Sequence, residues 1–171
     1  MGALIEDTRN KPDKHSVKHA AFEAAGIALI RSKLPFGDYA YPPTVSVDTK
    51  QSIAELYQNV TLEHDRFARE CEAARTAGAL LVILTENTHG VANLADLAAW
   101  TEPERDFAKR KGAKRPINGA SLAKACETMH ARYGVMFGFC APDEAARKII
   151  EILDWGCGDG VLGHMEDDIG R

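Results

Sequence analysis

The chain has 171 residues, of which 45% are hydrophobic and 27% are charged, and its formal net charge is −4. These values are typical of a soluble globular domain with a substantial core, and they exclude a disordered chain and a disulfide-stapled miniprotein. The longest apolar run, residues 79–84, is far shorter than the roughly 20 residues that cross a bilayer, so we expect no membrane partner.

The cysteines and the N-terminal residues predict a cytoplasmic protein. None of the four cysteines forms a Cys-x-x-Cys pair, which indicates free thiols in a reducing compartment and argues against a zinc knuckle. Glu6 and Asp7 interrupt the apolar start of the chain, so we expect no signal peptide. Because the net charge is negative, a nucleic acid would be held by a local basic patch or through a metal ion.

The hydrophobic pattern of the first fifty residues alternates between strands and one helix. Short apolar or alternating runs predict strands at 3–5, 27–34 and 44–50. Apolar residues at helical spacing predict a helix over 15–25, which Gly26 ends. A Pro-Phe-Gly-Asp turn at 35–38 breaks the second strand, and a further short strand follows this turn.

The rest of the chain predicts helices separated by buried strands. Continuous apolar runs predict strands covered on both faces at 79–84 and 134–139, and helical spacing predicts helices at 52–60, 64–77, 120–132 and 142–153. This order predicts an α/β fold, a three-layer sandwich with a central mixed sheet flanked by helices, in which an antiparallel meander precedes parallel crossovers. We expect one domain over 1–155 and a flexible, acidic, glycine-rich tail over 156–171.

Three residues in and before the strand at 44–50 carry the clearest chemical signal. Asp48 and Lys50 are two positions apart, so their side chains share one face of the sheet. Asp38 lies one turn and one short strand earlier, and a hairpin-like return would bring it near Asp48. Two carboxylates suit Mg²⁺, or Mn²⁺ in its place, because both ions prefer oxygen ligands. Such a metal would polarise a phosphodiester and activate a water molecule, and the lysine would orient that water or offset charge on the phosphate.

An aspartate followed by Asp-x-Lys is the signature of the PD-(D/E)xK nuclease superfamily, although a solvated charge pair on a surface strand gives the same short pattern. The surrounding segments are similar, in order, to the XPF-type nuclease domain, a family of structure-specific DNA endonucleases of excision repair. The segment at 4–9 resembles its opening strand with Asp-x-Arg, 32–39 its Leu-x-x-Gly-Asp-Tyr turn, and 47–50 its Val-Glu-Arg-Lys motif. The similarity continues through Arg66, Phe67 and Glu70 to the closing strand and helix, and covers about residues 3–153.

The resemblance implies a restriction-endonuclease-like fold and a Mg²⁺-dependent endonuclease that cuts branched DNA, such as flaps, forks or junctions, in repair or recombination. It implies that Asp38, Asp48 and the carbonyl of Thr49 hold the metal and that Lys50 acts on the nucleophile. It also implies a homodimer formed through the nuclease domain. A compact chain without a second DNA-binding module suits a bacterial or phage protein associated with the nucleoid.

The resemblance leaves two assignments open. Asp7 ends a strand at the edge of the sheet where α/β sites gather, and it either ligates the metal or only orients Arg9. The family has an aspartate where this chain has Ala54, so Glu55 is a candidate substitute. Because the family's arginine is also replaced, by Thr49, the alternative function is a catalytically inactive DNA-binding or scaffold subunit of a nuclease complex.

The candidate DNA contacts are mostly basic residues in two parts of the chain. Arg9, Tyr39 and Arg66 lie within the family-like motifs, although a tyrosine in such a position more often packs in the core and Arg66 also suits pairing with a glutamate on its own helix. The aperiodic stretch at 100–118 either forms a solvated loop or grips phosphates, and its basic residues are Arg105, Lys109, Arg110, Lys111, Lys114 and Arg115. His15 and His19 are four residues apart, which we interpret as a solvated helix face rather than a metal site.

Overall fold

The structure, a computed structural model, describes residues 3–41 and 45–155. The predicted tail at 156–171 and Cys157 lie outside the described residues. The strands are β1 (Ala3–Asp7), β2 (Ala28–Ser32), β3 (Tyr39–Tyr41), β4 (Val45–Lys50), β5 (Leu80–Glu86) and β6 (Met136–Cys140). The helices are α1 (Pro12–Ala24), α2 (Ile53–Tyr57), α3 (His64–Thr76), α4 (Leu94–Ala99), α5 (Glu104–Phe107), α6 (Gly119–Tyr133) and α7 (Ala145–Trp155), with a π-helical turn at Gln58–Leu62.

The six strands form one mixed sheet in the order β2-β1-β3-β4-β5-β6. β3 runs antiparallel to both of its neighbours, β1 and β4, whereas the other neighbouring pairs are parallel. The predicted early antiparallel meander is therefore wrong at its first step, because β3 pairs with β1 and not with β2, whereas its second step, from β3 to β4, is antiparallel as predicted. β1 and β2 are parallel because α1 carries the chain back across the sheet, as a parallel pair requires.

Helices cover both faces of the sheet, so the predicted three-layer sandwich is confirmed. On one face, Phe67 of α3 and Met129 of α6 pack in a core with Ile83 of β5. On the other face, Phe22 of α1 and Ile149 of α7 pack in a second core. β5 is buried on both sides because its alternate residues enter alternate cores, which accounts for its continuous apolar sequence.

Several element boundaries differ from the predicted ones for local reasons. α1 begins at Pro12 rather than at residue 15, because proline suits the first turn of a helix, where its missing amide hydrogen costs nothing. The α-helix predicted at 52–60 ends at Tyr57, and the chain continues from Gln58 as the π-helical turn. The aperiodic stretch after α4 contains the short helix α5, and a bridge between Thr101 and Asn118 closes the base of this segment.

The cysteines and the helix lengths bear on two expectations, namely free thiols and no membrane-spanning segment. Cys71, Cys126 and Cys140 are free and buried. Burial raises the pKa of each of these thiols to about 12, so they remain protonated and unreactive at neutral pH. None of the helices in the described ranges is long and apolar enough to cross a bilayer.

Candidate active site

The turn before β3 and the register of β3 with β4 bring Asp38 beside Asp48. Residues 39–41 pair with residues 45–47 in antiparallel register, so one further step sets Asp38 across from Asp48. The amide of Asp38 donates a 2.7 Å hydrogen bond to the carbonyl of Val47, which continues this ladder. Gly37 enters the turn with a φ of +72°, a left-handed conformation that favours glycine.

The carboxylate of Asp38 is fixed through one of its two oxygens. Its Oδ2 accepts hydrogen bonds from the amide of Thr49 at 2.9 Å and from Oγ1 of Thr49 at 2.5 Å. Its backbone carbonyl accepts the amide of Asp7 at 2.9 Å and the side-chain amide of Asn10 at 3.2 Å. Oδ1 receives no hydrogen bond from any residue in the described ranges, which leaves it free to face a ligand.

Asp48 and Lys50 form a buried ion pair on β4. Nζ of Lys50 lies 2.6 Å from Oδ2 of Asp48, and each side chain is only 8% exposed. Burial raises the pKa of Asp48 to about 7; the Lys50 ammonium opposes this shift, while the charges of Asp38 and Glu70 add to it. Burial would lower the pKa of Lys50, but the carboxylate of Asp48 holds it above its usual value. The site therefore concentrates negative charge around one buried ammonium group.

These side chains lie in one cleft of about 470 Å³, which we call the carboxylate cleft. Its acidic lining residues are Asp7, Asp38, Asp48, Glu55 and Glu70, and its basic ones are Arg9, Lys11, Lys14, Lys50 and Arg66. Lys50 is buried, whereas the other four basic residues are exposed at the rim. An acidic interior with a basic rim can hold a divalent cation and attract phosphates at the same time.

Asp7 and Arg9 form a tight unit at the wall of the carboxylate cleft. Arg9 donates to both oxygens of Asp7, from Nε at 2.9 Å and from Nη2 at 2.6 Å, and its amide donates at 2.7 Å. The amide of Leu34 also donates to Asp7 at 3.0 Å. Burial tends to raise the pKa of Asp7, but these hydrogen bonds hold it below its usual value. Because both oxygens are occupied, the contacts favour orientation of Arg9 over metal ligation.

Glu55 lines the carboxylate cleft, but its carboxylate already accepts a hydrogen bond at the start of α2. Oγ of Ser52 accepts the amide of Glu55 at 3.2 Å, and the Glu55 carboxylate accepts the amide of Gln51 at 2.8 Å. This pattern is close to a capping box, except that the carboxylate accepts the amide of Gln51, one residue before the N-cap Ser52. The arrangement explains Glu55 by helix capping, without a metal.

Several residues that line the carboxylate cleft were not predicted from the sequence. Lys11 and Lys14 at the start of α1 add two exposed cations to the rim. Glu70 was noted only as part of a motif, yet its Oε1 accepts the amide of Gly37 at 3.0 Å and so braces the turn that carries Asp38. The signal for Glu70 was its position four residues after Arg66, on the flank of α3 that faces the cleft.

Tyr39 does not contact solvent, so its predicted role as a DNA contact is wrong. The side chain is completely buried and packs edge-on against Phe22. Its hydroxyl lies 2.6 Å from Nδ1 of His15, which also corrects the interpretation of the histidines, because His15 is buried and lines the cleft. His19 is half-buried and contacts Glu6 at 2.6 Å. Burial lowers the pKa of His15, which favours the neutral ring.

The basic stretch after α4 lies apart from the carboxylate cleft, since none of its six predicted contact residues lines it. Arg110 is committed to structure: it makes two hydrogen bonds, at 2.6 and 2.7 Å, to the buried carboxylate of Glu102. Glu102 in turn accepts the amide of Ile117 at 2.8 Å. This network anchors the segment and leaves five exposed cations on it: Arg105, Lys109, Lys111, Lys114 and Arg115.

The donor atoms of the cleft suit a hard divalent cation. Oδ1 of Asp38 is free, and the buried Oδ2 of Asp48 has its ion pair with Lys50 but no aligned hydrogen bond within the described ranges. No group of three His, Cys, Asp or Glu side chains converges closely enough to form a metal cage in residues 3–41 and 45–155. A cation here would therefore be coordinated by the two carboxylates, a backbone oxygen and water, a ligand set that suits Mg²⁺.

Comparisons with known proteins address the fold. The chain matches none of the protein-family models and none of the curated proteins. Among solved structures it is similar to XPF from Aeropyrum pernix, at 19% identity and a TM-score of 0.62, over 92% of this chain and 63% of that one. It is also similar to XPF from Aeropyrum pernix in complex with DNA, at 16% identity and a TM-score of 0.64, over 92% of this chain and 66% of that one.

The chain thus spans about two thirds of the length of these two structures, and nearly all of it is covered by the match. The matched region includes a mixed six-stranded sheet flanked by helices, in agreement with the arrangement predicted from the sequence. The chain therefore has the fold of an XPF-type nuclease domain.

Proposed function

We propose that the protein is a metal-dependent DNA endonuclease that hydrolyses phosphodiester bonds in branched DNA. The observation that carries this proposal is the assembly of Asp38, Asp48 and Lys50 in one cleft, from β4 and from the turn that leads into its antiparallel neighbour β3. A mere charge pair on a surface strand would be solvated, whereas Asp48 and Lys50 are buried. Fold similarity to a protein solved with DNA supports a nucleic acid as the substrate.

The residues of the cleft have separate roles in this proposal. Asp38 and Asp48 would hold Mg²⁺ or Mn²⁺, which would polarise the scissile phosphate and make a bound water more acidic. Lys50 donates to the attacking water or to the phosphate oxygens, and it offsets the negative charge that develops on the phosphate. Its contact with the Phe67 ring, 5.8 Å from the ammonium to the ring centroid, limits where this group can move.

The rim supplies the contacts to the DNA backbone. Arg9, Lys11, Lys14 and Arg66 are exposed on both sides of the cleft, where phosphates flanking the scissile one would lie. Arg9 is held in place by Asp7 although its side chain is 60% exposed, so it is oriented before DNA binds. Arg66 donates to the side-chain oxygen of buried Asn59 at 2.7 Å, which orients it, and pairs with Glu63 at 2.7 Å on the surface. The exposed pair with Glu63 is a weak contact that a phosphate can replace.

The second candidate function is an inactive DNA-binding or scaffold subunit. Two observations favour it: the carboxylate of Glu55 caps α2 instead of adding a third acid, and Lys50 neutralises Asp48 directly. The basic surfaces would then bind DNA while a partner subunit cleaves it. DNA binding without cleavage in Mg²⁺ or Mn²⁺ would establish this function in place of the first.

A cleavage panel on labelled flaps, forks, four-way junctions and linear duplexes tests the proposal. We expect cleavage with Mg²⁺ and none with EDTA. Asp48→Asn and Lys50→Met remove a charge with little change in volume, and each should reduce the rate at least about 100-fold. Lys124→Met, at an exposed position on α6, is the matched control and should cleave normally. Circular dichroism verifies that the variants are folded, and full activity in both site variants would reject the site.

A further inference from the structure

The hydrogen bonds from Thr49 to Asp38 point to a function for the residue that stands where the similar family motif has arginine. Thr49 is buried, at 7% exposure, and lies between Asp48 and Lys50 on β4. Both its amide and its hydroxyl donate to the same oxygen of Asp38. Two donors on one oxygen restrain the rotation of the carboxylate more strongly than a single donor does.

We propose that Thr49 is a positioning residue whose hydroxyl turns Oδ1 of Asp38 toward the cation. This inference rests on the proposed function, since it concerns the same metal site. The terminal torsion of an aspartate is broad and roughly two-fold, so a carboxylate without restraint samples several orientations. The backbone of Asp38 is already held by Val47, Asp7 and Asn10, and the Thr49 hydroxyl adds a second restraint on the carboxylate beside the Thr49 amide.

Threonine suits this task better than most residues that can donate. Its β-branched side chain has restricted χ1 rotamers and is favoured in strands, so the hydroxyl is ordered at little entropic cost. A hydrogen bond to an ionised oxygen is roughly twice as strong as one between neutral groups. The bond also keeps Oδ2 occupied, and therefore directs the cation to the other oxygen of Asp38.

Loss of a group that orients a metal ligand typically weakens metal binding by 10–100-fold. Removal of the Thr49 hydroxyl should therefore lower the affinity for Mn²⁺ while the protein remains folded. A purely structural role predicts a loss of stability with unchanged affinity among the molecules that are folded. Metal affinity measured directly on the metal-free protein separates the two roles without any assay of cleavage.

The experiment is a Mn²⁺ titration followed by electron paramagnetic resonance, on the full chain without DNA. Thr49→Val removes the hydroxyl and keeps the shape, and should weaken Mn²⁺ binding about 10-fold or more. Thr49→Ser keeps a hydroxyl and should restore the affinity. Thr85→Val is the matched control, because Thr85 is completely buried, pairs with Lys50 across β4 and β5, and its hydroxyl has no partner in the described ranges. Its affinity should not change.

A double-variant comparison makes the assignment specific to Asp38. In an Asp38→Asn background, Thr49→Val should cause no further loss of affinity, because the ligand that it orients has already been changed. If Thr49→Val does not fold, Thr49→Ala provides the same comparison. Equal Mn²⁺ affinity in the wild type and either hydroxyl-free variant would overturn the inference alone. Absence of Mn²⁺ binding in the wild type would overturn both the inference and the proposed metal-dependent function.

Discussion

At Gly37 a single missing side chain decides where Asp38 lies. The residue has a φ of +72°, and a Cβ at this position would lie 2.2 Å from Oγ of Ser46 and 3.1 Å from the carbonyl oxygen of Val47. The Ser46 hydroxyl is itself held by hydrogen bonds to the carbonyls of Phe36 and Tyr39, so it does not move away freely.

We therefore expect Gly37→Ala to lower the free energy of unfolding by more than the roughly 1–2 kcal/mol that left-handed strain alone costs, and to reduce cleavage by displacing Asp38. Gly90→Ala is the control, because Gly90 has a φ of +74° but nothing within 4 Å of its Cβ position. Denaturant unfolding and the cleavage assay measure both effects. Equal losses of stability in the two variants would show that the close approach at Gly37 is unimportant.

The Asp7–Arg9 unit predicts a pH dependence of stability. The pKa of Asp7 is held below its usual value in the folded protein, so folding favours the ionised carboxylate. Its contribution is fully present above the unfolded pKa, near 3.9, and is lost as the pH falls through the lower folded pKa. Asp7→Asn should cost about 1.5–3 kcal/mol at pH 7 and progressively less below about pH 4. A difference from the wild type that stays constant down to pH 2 would contradict this assignment.

At the scale of single residues, the convergence of three side chains was predictable, whereas several of their contacts were not. Asp48 and Lys50 share a face because side chains in a strand alternate with period two, and the Gly-Asp-Tyr resemblance pointed to Asp38. The hydrogen bonds of Thr49 and the burial of Tyr39 depend on where α1 and β3 lie in space, and neither is visible in a local pattern.

At the scale of elements, α2 provides the clearest test of what Glu55 does. Ser52 and Glu55 cap this helix, and Glu55 also borders the carboxylate cleft. Glu55→Gln keeps an acceptor for the Gln51 amide but removes the charge that a metal would use. We expect this variant to retain metal-dependent cleavage, and Ser52→Ala to lower the stability by about 1 kcal/mol. A loss of cleavage in folded Glu55→Gln comparable to that of Asp48→Asn would assign Glu55 to the metal instead.

The order of the elements along the chain was predictable from the sequence, whereas the neighbours of each strand in the sheet were less so. Both β5 and α3 are identifiable from the sequence. A strand buried on both faces leaves a continuous apolar run, as in β5, whereas a helix buried on one face leaves apolar residues at helical spacing, as in α3. The parallel pairing of β1 with β2 and the insertion of β3 beside β1 are long-range choices that no local pattern encodes. The rim lysines at 11 and 14 were missed for a similar reason, since they reach the cleft only when α1 packs across the sheet.

At the scale of the whole molecule, the candidate DNA-contacting cations lie on two separate surfaces. One is the rim of the carboxylate cleft, and the other is the segment after α4, which the Glu102–Arg110 ion pair anchors away from the cleft. The net charge of −4 conceals this separation, because the 25 acidic residues of the chain outnumber its 21 basic ones. The predicted homodimer remains a prediction, which sedimentation at micromolar concentration can test.

The salt dependence of DNA binding measures how much the second surface contributes. Each phosphate contact contributes about 0.9 to the slope of log affinity against log salt concentration on duplex DNA. Neutralising the five exposed cations of the segment to glutamine, with Arg110 left in place, should reduce the steepness of this slope by up to about 4–5. Neutralising Arg147 and Lys148, exposed on α7, is the control. An unchanged slope would show that the segment is a solvated loop.

The proposed metal site is tested most directly by locating Mn²⁺ in crystals of the wild-type protein by anomalous diffraction. We expect an ion in direct contact with carboxylate oxygens of both Asp38 and Asp48, and its loss in Asp48→Asn. An ion bound elsewhere, or an empty site at a Mn²⁺ concentration that supports cleavage, would contradict it.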